Sequence, residues 1–239
     1  MIPTSTKSLV LIAMGLYLYS RFFGGTLLFY INERFVILTL FAAVGFIIVG
    51  LSYRYRLPNA HEGHEHGNLS WAGLAIVVTP IVLGLVIPPK PLGAAAMSNR
   101  DVRLESLTSA PAPSNDVVLS KPKGERNILD WQMDFWSSPD PTVFNGQEAK
   151  VIGFVYRDDR FKANEFMVSR FTISCCAADA APIGLMVRSD EAKLFPTDQW
   201  VEVKGNFQAG QFDGKEMPIL IADLLAPTDI PNQPYLYPY

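Results

Sequence analysis

The chain has 239 residues, a formal net charge of −3 at pH 7, 49% hydrophobic and 18% charged residues, and two cysteines. That length allows two compact units, the charge balance leaves no basic stripe to neutralise phosphates and so argues against nucleic acid as a partner, and two cysteines exclude a disulfide scaffold. The composition is rich for a soluble protein and lean for a polytopic transporter, and it averages two unlike parts: residues 1–90 are mostly apolar, and the rest carries most of the charge.

The chain opens with Lys7 and an apolar run from Leu9 to Phe23, interrupted only by Ser20 and Arg21. As a helix rising about 1.5 Å per residue it nearly spans a bilayer, with Arg21 snorkelling to the interface. A cleaved signal peptide is the competing reading, disfavoured by a weak basic start and the lack of a small-x-small cleavage site. Phe35 to Leu51 has no charged residue and is closed by Tyr53, Arg54, Tyr55 and Arg56, an interfacial pattern of aromatic and basic side chains. Trp71 to Ile87 is a third apolar run, with Pro80 inside it as a kink. The pattern therefore predicts a transmembrane region over residues 1–90 with three spans, at about 7–23, 35–52 and 71–87. Arg54 and Arg56 favour a cytoplasmic loop after the second span, which puts the C-terminal part outside the cytoplasm. Residues 91–122, rich in Ala, Ser, Pro and Asn, read as a flexible linker.

The loop over residues 59–68 contains His61-Glu62-Gly63-His64-Glu65-His66-Gly67, and with it all three histidines of the protein. Imidazole with carboxylate suits zinc or another divalent metal, and so short a loop would bind it weakly and exchangeably. A solvated polar hairpin is the bland alternative.

Residues 123–239 read as a folded domain. Asn127 to Trp136 has apolar residues at Ile128, Trp131 and Phe135, the spacing of a short amphipathic helix, whose tryptophans are expected to pack against a sheet. The period then becomes that of strands: Val151–Tyr156, Glu165–Cys175, Pro182–Val187, Trp200–Phe207 and Pro218–Leu224, with room for a helical turn at Asp190–Phe195. Five short strands with a helical turn between the third and fourth predict an OB-like β-barrel, with an SH3-like barrel as the alternative. The fold class is thus an α+β membrane protein: three transmembrane helices, then a small five-stranded barrel.

Both cysteines, Cys175 and Cys176, stand side by side at the predicted end of the second strand, and Asp179 follows three residues later. If the strand ran on regularly the two side chains would face opposite ways, so that only one entered the barrel. Thiolate and carboxylate here could form half of a metal site, completed by a partner or another loop. The pair is not a CxxC motif, and every histidine is far away in sequence, so neither thioredoxin-type exchange nor base-activated nucleophilic catalysis is expected. A structural cysteine beside a turn aspartate is the competing reading.

The segment Cys176-Ala177-Ala178-Asp179, preceded by Arg170-Phe171 and followed by Gly184-Leu185-Met186-Val187, resembles the C-x-A-D motif of the bacterial YcgQ-like family of two-component permease subunits. The layout of N-terminal spans, His-rich loop, linker and C-terminal domain is similar throughout, down to the ending Pro234-Tyr235-Leu236-Tyr237. This chain departs from it in the extra Cys175 and in a shorter loop without cysteine. The resemblance implies a larger multispanning permease as partner and a divalent ion as cargo. No charged residue lies in the second or third apolar run, which makes a poor transport path for one chain alone. The expectation is a non-enzymatic accessory subunit, multi-pass in the bacterial plasma membrane and in contact with lipid. A membrane-anchored metal-binding protein or metallochaperone acting without the permease is the second reading, and a thiol enzyme the third.

Overall fold

The computed structural model describes residues 3–55, 70–98 and 126–238. The chain divides into two compact units, Met1–Pro91 and Leu92–Tyr239. The His61, His64 and His66 loop and residues 99–122 of the linker lie outside the described residues.

The first unit is helical, with α1 at Thr4–Phe23, α2 at Val36–Tyr55 and α3 at Trp71–Val86. Small residues let α1 and α2 approach closely. A Cβ on Gly15 would stand 2.6 Å from the Ala43 carbonyl oxygen, and one on Gly50 would stand 2.7 Å from Cγ1 of Ile12. The Ser8 hydroxyl donates to the Gly50 carbonyl at 2.6 Å, which satisfies a polar group that would otherwise be buried unpaired. Between α1 and α3, the Arg21 guanidinium donates to the Gly84 carbonyl and stacks 4.9 Å from the Tyr17 ring centroid.

Three spans were expected; among the described residues one helix, Glu33–Tyr53, is long and apolar enough to cross a membrane. It has 21 residues, a mean hydropathy of 2.6 and only 11% of its apolar window buried, unlike the core helix of a soluble protein. The other two fall short for different reasons. α1 begins with Thr4, Ser5, Thr6, Lys7 and Ser8 and ends near Arg21, which lowers its hydropathy. α3 has 16 residues, about 24 Å of helix against a hydrocarbon core of about 30 Å.

Among the described residues, the second unit is a six-stranded sheet with two α-helices. Its strands are β1 Glu148–Tyr156, β2 Glu165–Thr172, β3 Ala181–Arg188, β4 Trp200–Phe212, β5 Lys215–Pro227 and β6 Tyr235–Leu236. The order is β1-β4-β5-β3-β2-β6, and β1 also pairs with β2, so the first five strands form a closed circuit of pairings. Within it β3 and β5 are parallel and the other neighbours antiparallel. Asp213 and Gly214, with φ of 50° and 77°, make the tight turn joining β4 to β5, where both central residues need positive φ. A register shift at Lys204/Gly205 bends β4, and a Cβ on Gly205 would lie 1.9 Å from the Ile221 carbonyl oxygen.

Strand alternation divides the buried side chains between two clusters. Val155, Val168, Leu185 and Val203 enter one; Phe154, Met167, Met186 and Ile219 enter the other. Helix α5, Ile128–Ser137, starts from a capping box in which Asn127 accepts from Leu129 and Asp130 while Asp130 accepts from Asn127. It buries Ile128, Leu129 and Trp131 in the first cluster, with the Trp131 ring 4.8 Å from Phe207. Composition assigned residues 91–122 to a linker, but Ala94–Ser98 form a short helix, α4, that places Ala94 and Met97 in the second cluster. The Ala94 amide is anchored on Oδ1 of Asp198 at 2.5 Å.

Candidate functional site

The cysteine loop joins β2 to β3. The alternation of Phe171, Ile173 and Cys175 suggested a strand as far as Cys175, but β2 ends at Thr172 and the chain turns through a single 3₁₀ turn at Ala177–Asp179. The carboxylate of Asp179 explains the early ending. It accepts from the backbone N–H of Ser174 at 3.0 Å, Cys175 at 2.6 Å and Cys176 at 3.4 Å, and so offers the backbone an alternative to the ladder. In return the Asp179 N–H donates to the Cys176 carbonyl at 3.0 Å.

The two sulfurs therefore do not face opposite ways. They lie 3.7 Å apart as free thiols, Cys175 exposed and Cys176 half-buried, and neither enters the core. A hydrogen bond to Asp179, followed by one to Cys176, pushes the Cys175 thiol up to about 11. Burial raises the Asp179 carboxyl, but the Cys175 thiol and the three amides outweigh that and hold it below its ordinary 3.8. At neutral pH the loop thus presents a protonated Cys175 thiol beside a carboxylate engaged by backbone donors.

The structure brings Cys175, Cys176 and Asp179 together as the sequence suggested. Among the described residues, however, no group of three or more His, Cys, Asp or Glu is arranged to hold a metal ion. The loop is also tied to the C-terminal segment. β6 runs parallel to β2, pairing Phe171 with Tyr235 and Thr172 with Leu236, and the Ile173 N–H donates to the Leu236 carbonyl at 3.1 Å. Arg170, 8% exposed, donates from Nε to the Pro234 carbonyl at 3.0 Å and from its terminal nitrogen to the Gln233 carbonyl. Burial pulls this guanidinium down to about 10, and it lies 5.6 Å from the Trp200 ring centroid. Sequence reasoning singled out Arg170 and the aromatic-proline ending separately; their contact joins positions more than 60 residues apart and had no local signal.

Among the described residues, a helical region with one apolar helix of spanning length precedes a sheet domain bearing a dithiol loop, which defines a two-part protein with a candidate membrane span. The chain belongs to the DUF1980 family: the DUF1980 N-terminal domain matches residues 6–103 and the DUF1980 C-terminal domain residues 131–238. A Streptococcus mutans protein named "Putative two-component membrane permease complex subunit" is 23% identical over 261 residues, covering 94% of each chain. The UPF0703 protein YcgQ of Bacillus subtilis is 25% identical over 99 residues, 41% of this chain and 35% of that protein.

Proposed function

We propose that this chain is the accessory subunit of a two-component permease, held at the membrane by its apolar helix and presenting an OB-like barrel to the permease. The observation that carries this reading is the match over 94% of both chains to a relative named as such a subunit. The barrel reading is supported by the closed circuit of five strands and by the parallel pairing of β3 with β5. Exposed Ile37, Leu38, Phe41, Val44 and Ile48 on α2 supply an apolar surface for lipid or for the permease. The chain acts by binding rather than catalysis, a reading supported by the Cys175 thiol, which is too basic for a resting nucleophile. The test is affinity capture of the full chain from detergent-solubilised membranes. Retention of a multispanning partner is expected, and its absence under mild detergent overturns the proposal.

A second reading has one specific observation in its favour. Two thiolates bound to one tetrahedral zinc at about 2.3 Å stand about 3.8 Å apart, and the Cys175 and Cys176 sulfurs are already 3.7 Å apart. The pair would supply one edge of a divalent-metal site, with the remaining ligands from the permease or another loop. Zinc titration of the full chain separates the cases: Cys175→Ser and Cys176→Ser should each lower zinc uptake, and unchanged stoichiometry in both removes the site. The extracytoplasmic side for the barrel is part of the proposal and requires α3 as well as α2 to cross, since Arg54 and Arg56 favour the cytoplasm after α2; labelling of Cys175 by an impermeant maleimide in intact cells supports it, and labelling only after permeabilisation reverses it.

A further inference from the structure

The sheet domain contains a cavity of about 300 Å³ between the C-terminal end of α5 and strands β2, β3 and β5. Three of the chain's seven methionines border it, Met167, Met186 and Met217. Their placement follows from register. Met167 is the cross-strand partner of Met186, Met186 is the partner of Ile219, and Met217 shares a strand face with Ile219 two residues on. Three adjacent strands thus send thioethers to one side of the sheet. Gly184 makes room for the first of them, since a Cβ there would lie 2.5 Å from Cγ and 2.7 Å from Sδ of Met167.

Met167 and Met186 are buried in the second cluster and Met217 is half-buried beside it, so the three are core residues that also line the cavity. We propose that the cavity is a binding site for a soft monovalent cation, Cu(I) or Ag(I), held by the thioethers of Met167, Met186 and Met217. Thioethers are soft and uncharged, so they select such an ion over a divalent one, whose greater desolvation cost they cannot offset. Trp136 and Glu216 line the same cavity, and an indole face and a carboxylate both favour a cation. The cavity is larger than a bare ion, which leaves a coordination position for an exchangeable ligand and so permits transfer. The site shares no residue with the dithiol loop and does not depend on the reading given to it.

The test uses the full chain in detergent with Cys175→Ser and Cys176→Ser, so that thiols contribute nothing, and Ag(I) as a redox-inert probe followed by equilibrium dialysis and tryptophan fluorescence. Adding Met167→Leu and Met186→Leu, which nearly conserve volume, should remove one equivalent of Ag(I) or weaken its binding at least about tenfold. Fluorescence quenching by Ag(I) should shrink in Trp136→Phe. Met217→Leu, at a half-buried position, should weaken binding on its own and serves if the double substitution impairs folding. Ag(I) uptake that is the same with and without the methionine substitutions overturns the proposal, as does a Cys-free chain that takes up none.

Discussion

The amide nitrogen of Cys175 stands 2.6 Å from Oδ2 of Asp179, and that contact decides the chemistry of the loop. A carboxylate four residues ahead gathers three amides, ends β2 early, brings two sulfurs together and keeps the exposed thiol protonated. Asp179 is thus a builder of the loop before it is a candidate ligand.

Replacing Asp179 with Asn should return the Cys175 thiol from about 11 toward its ordinary value of 9.0. The thiolate fraction at pH 8 then rises, and iodoacetamide should alkylate Cys175 about tenfold faster or more. Mass spectrometry of the alkylated peptide checks this. An unchanged rate would mean that Asp179 does not set the reactivity of the thiol.

Acid should loosen the same loop. The folded Asp179 carboxyl titrates below its ordinary 3.8, so its stabilising contribution is complete above that value and is lost as pH falls through the lower folded value. Hydrogen exchange at the Ser174, Cys175 and Cys176 amides should therefore lose protection, relative to the rest of the sheet, only below about pH 4. Protection that ignores pH over this range would contradict the assigned hydrogen bonds.

Arg170→Met should release the C-terminal segment. It removes two charge-assisted hydrogen bonds and leaves the Gln233 and Pro234 carbonyls without this donor, at a cost of about 2–3 kcal/mol. Arg170→Lys should recover only part of that, because an ammonium lacks the planar fork. Carboxypeptidase digestion of residues beyond Gln233 reads the effect directly. A segment as resistant as in the unmodified chain would show that β6 pairing holds it without the arginine.

Two glycines should differ in their tolerance of alanine. At Gly205 the new Cβ meets the Ile221 backbone, which cannot move without disturbing the β4–β5 ladder; at Gly184 it meets the end of the Met167 side chain and Oγ of Ser169. Gly205→Ala should cost about 3 kcal/mol or more and Gly184→Ala about 1–2 kcal/mol. Thermal unfolding of the two variants ranks them, and the reverse order would be inconsistent with the packing described.

Much of the sheet domain was legible because its signals are local. Ile128, Trp131 and Phe135 marked α5, alternation marked five strands, and Asp190–Phe195 left room for the turn now seen at Ala192–Leu194. What was hidden depends on distant partners or on competition between local forces. Ile173 to Cys175 continues a strand pattern, and only the pull of Asp179 on three amides stops it. β6 is two residues long and exists because Arg170 and β2 receive it. Ala94–Ser98 looks like linker by composition, but Met97 is fully buried. In the helical region three apolar runs suggest three spans, but the polar start of α1 and the 16-residue length of α3 keep both short of one. The meeting of three methionines needed the β5-β3-β2 neighbour order, which no stretch of sequence states.

The Leu92 amide donates to the Tyr235 hydroxyl at 2.9 Å, so the entry and exit of the sheet unit are fastened to each other. Tension from the chain before Leu92 would reach the Tyr235 hydroxyl directly, whereas tension from the chain after Tyr235 would first load Leu236, which pairs with Thr172 in the β2–β6 ladder. β6 is held independently by its pairing with β2 and by Arg170, so Ile173 keeps its partner until Leu236 itself leaves. The residue that opens the sheet unit is thus joined, through Tyr235 and its neighbour Leu236, to Ile173 at the edge of the dithiol loop.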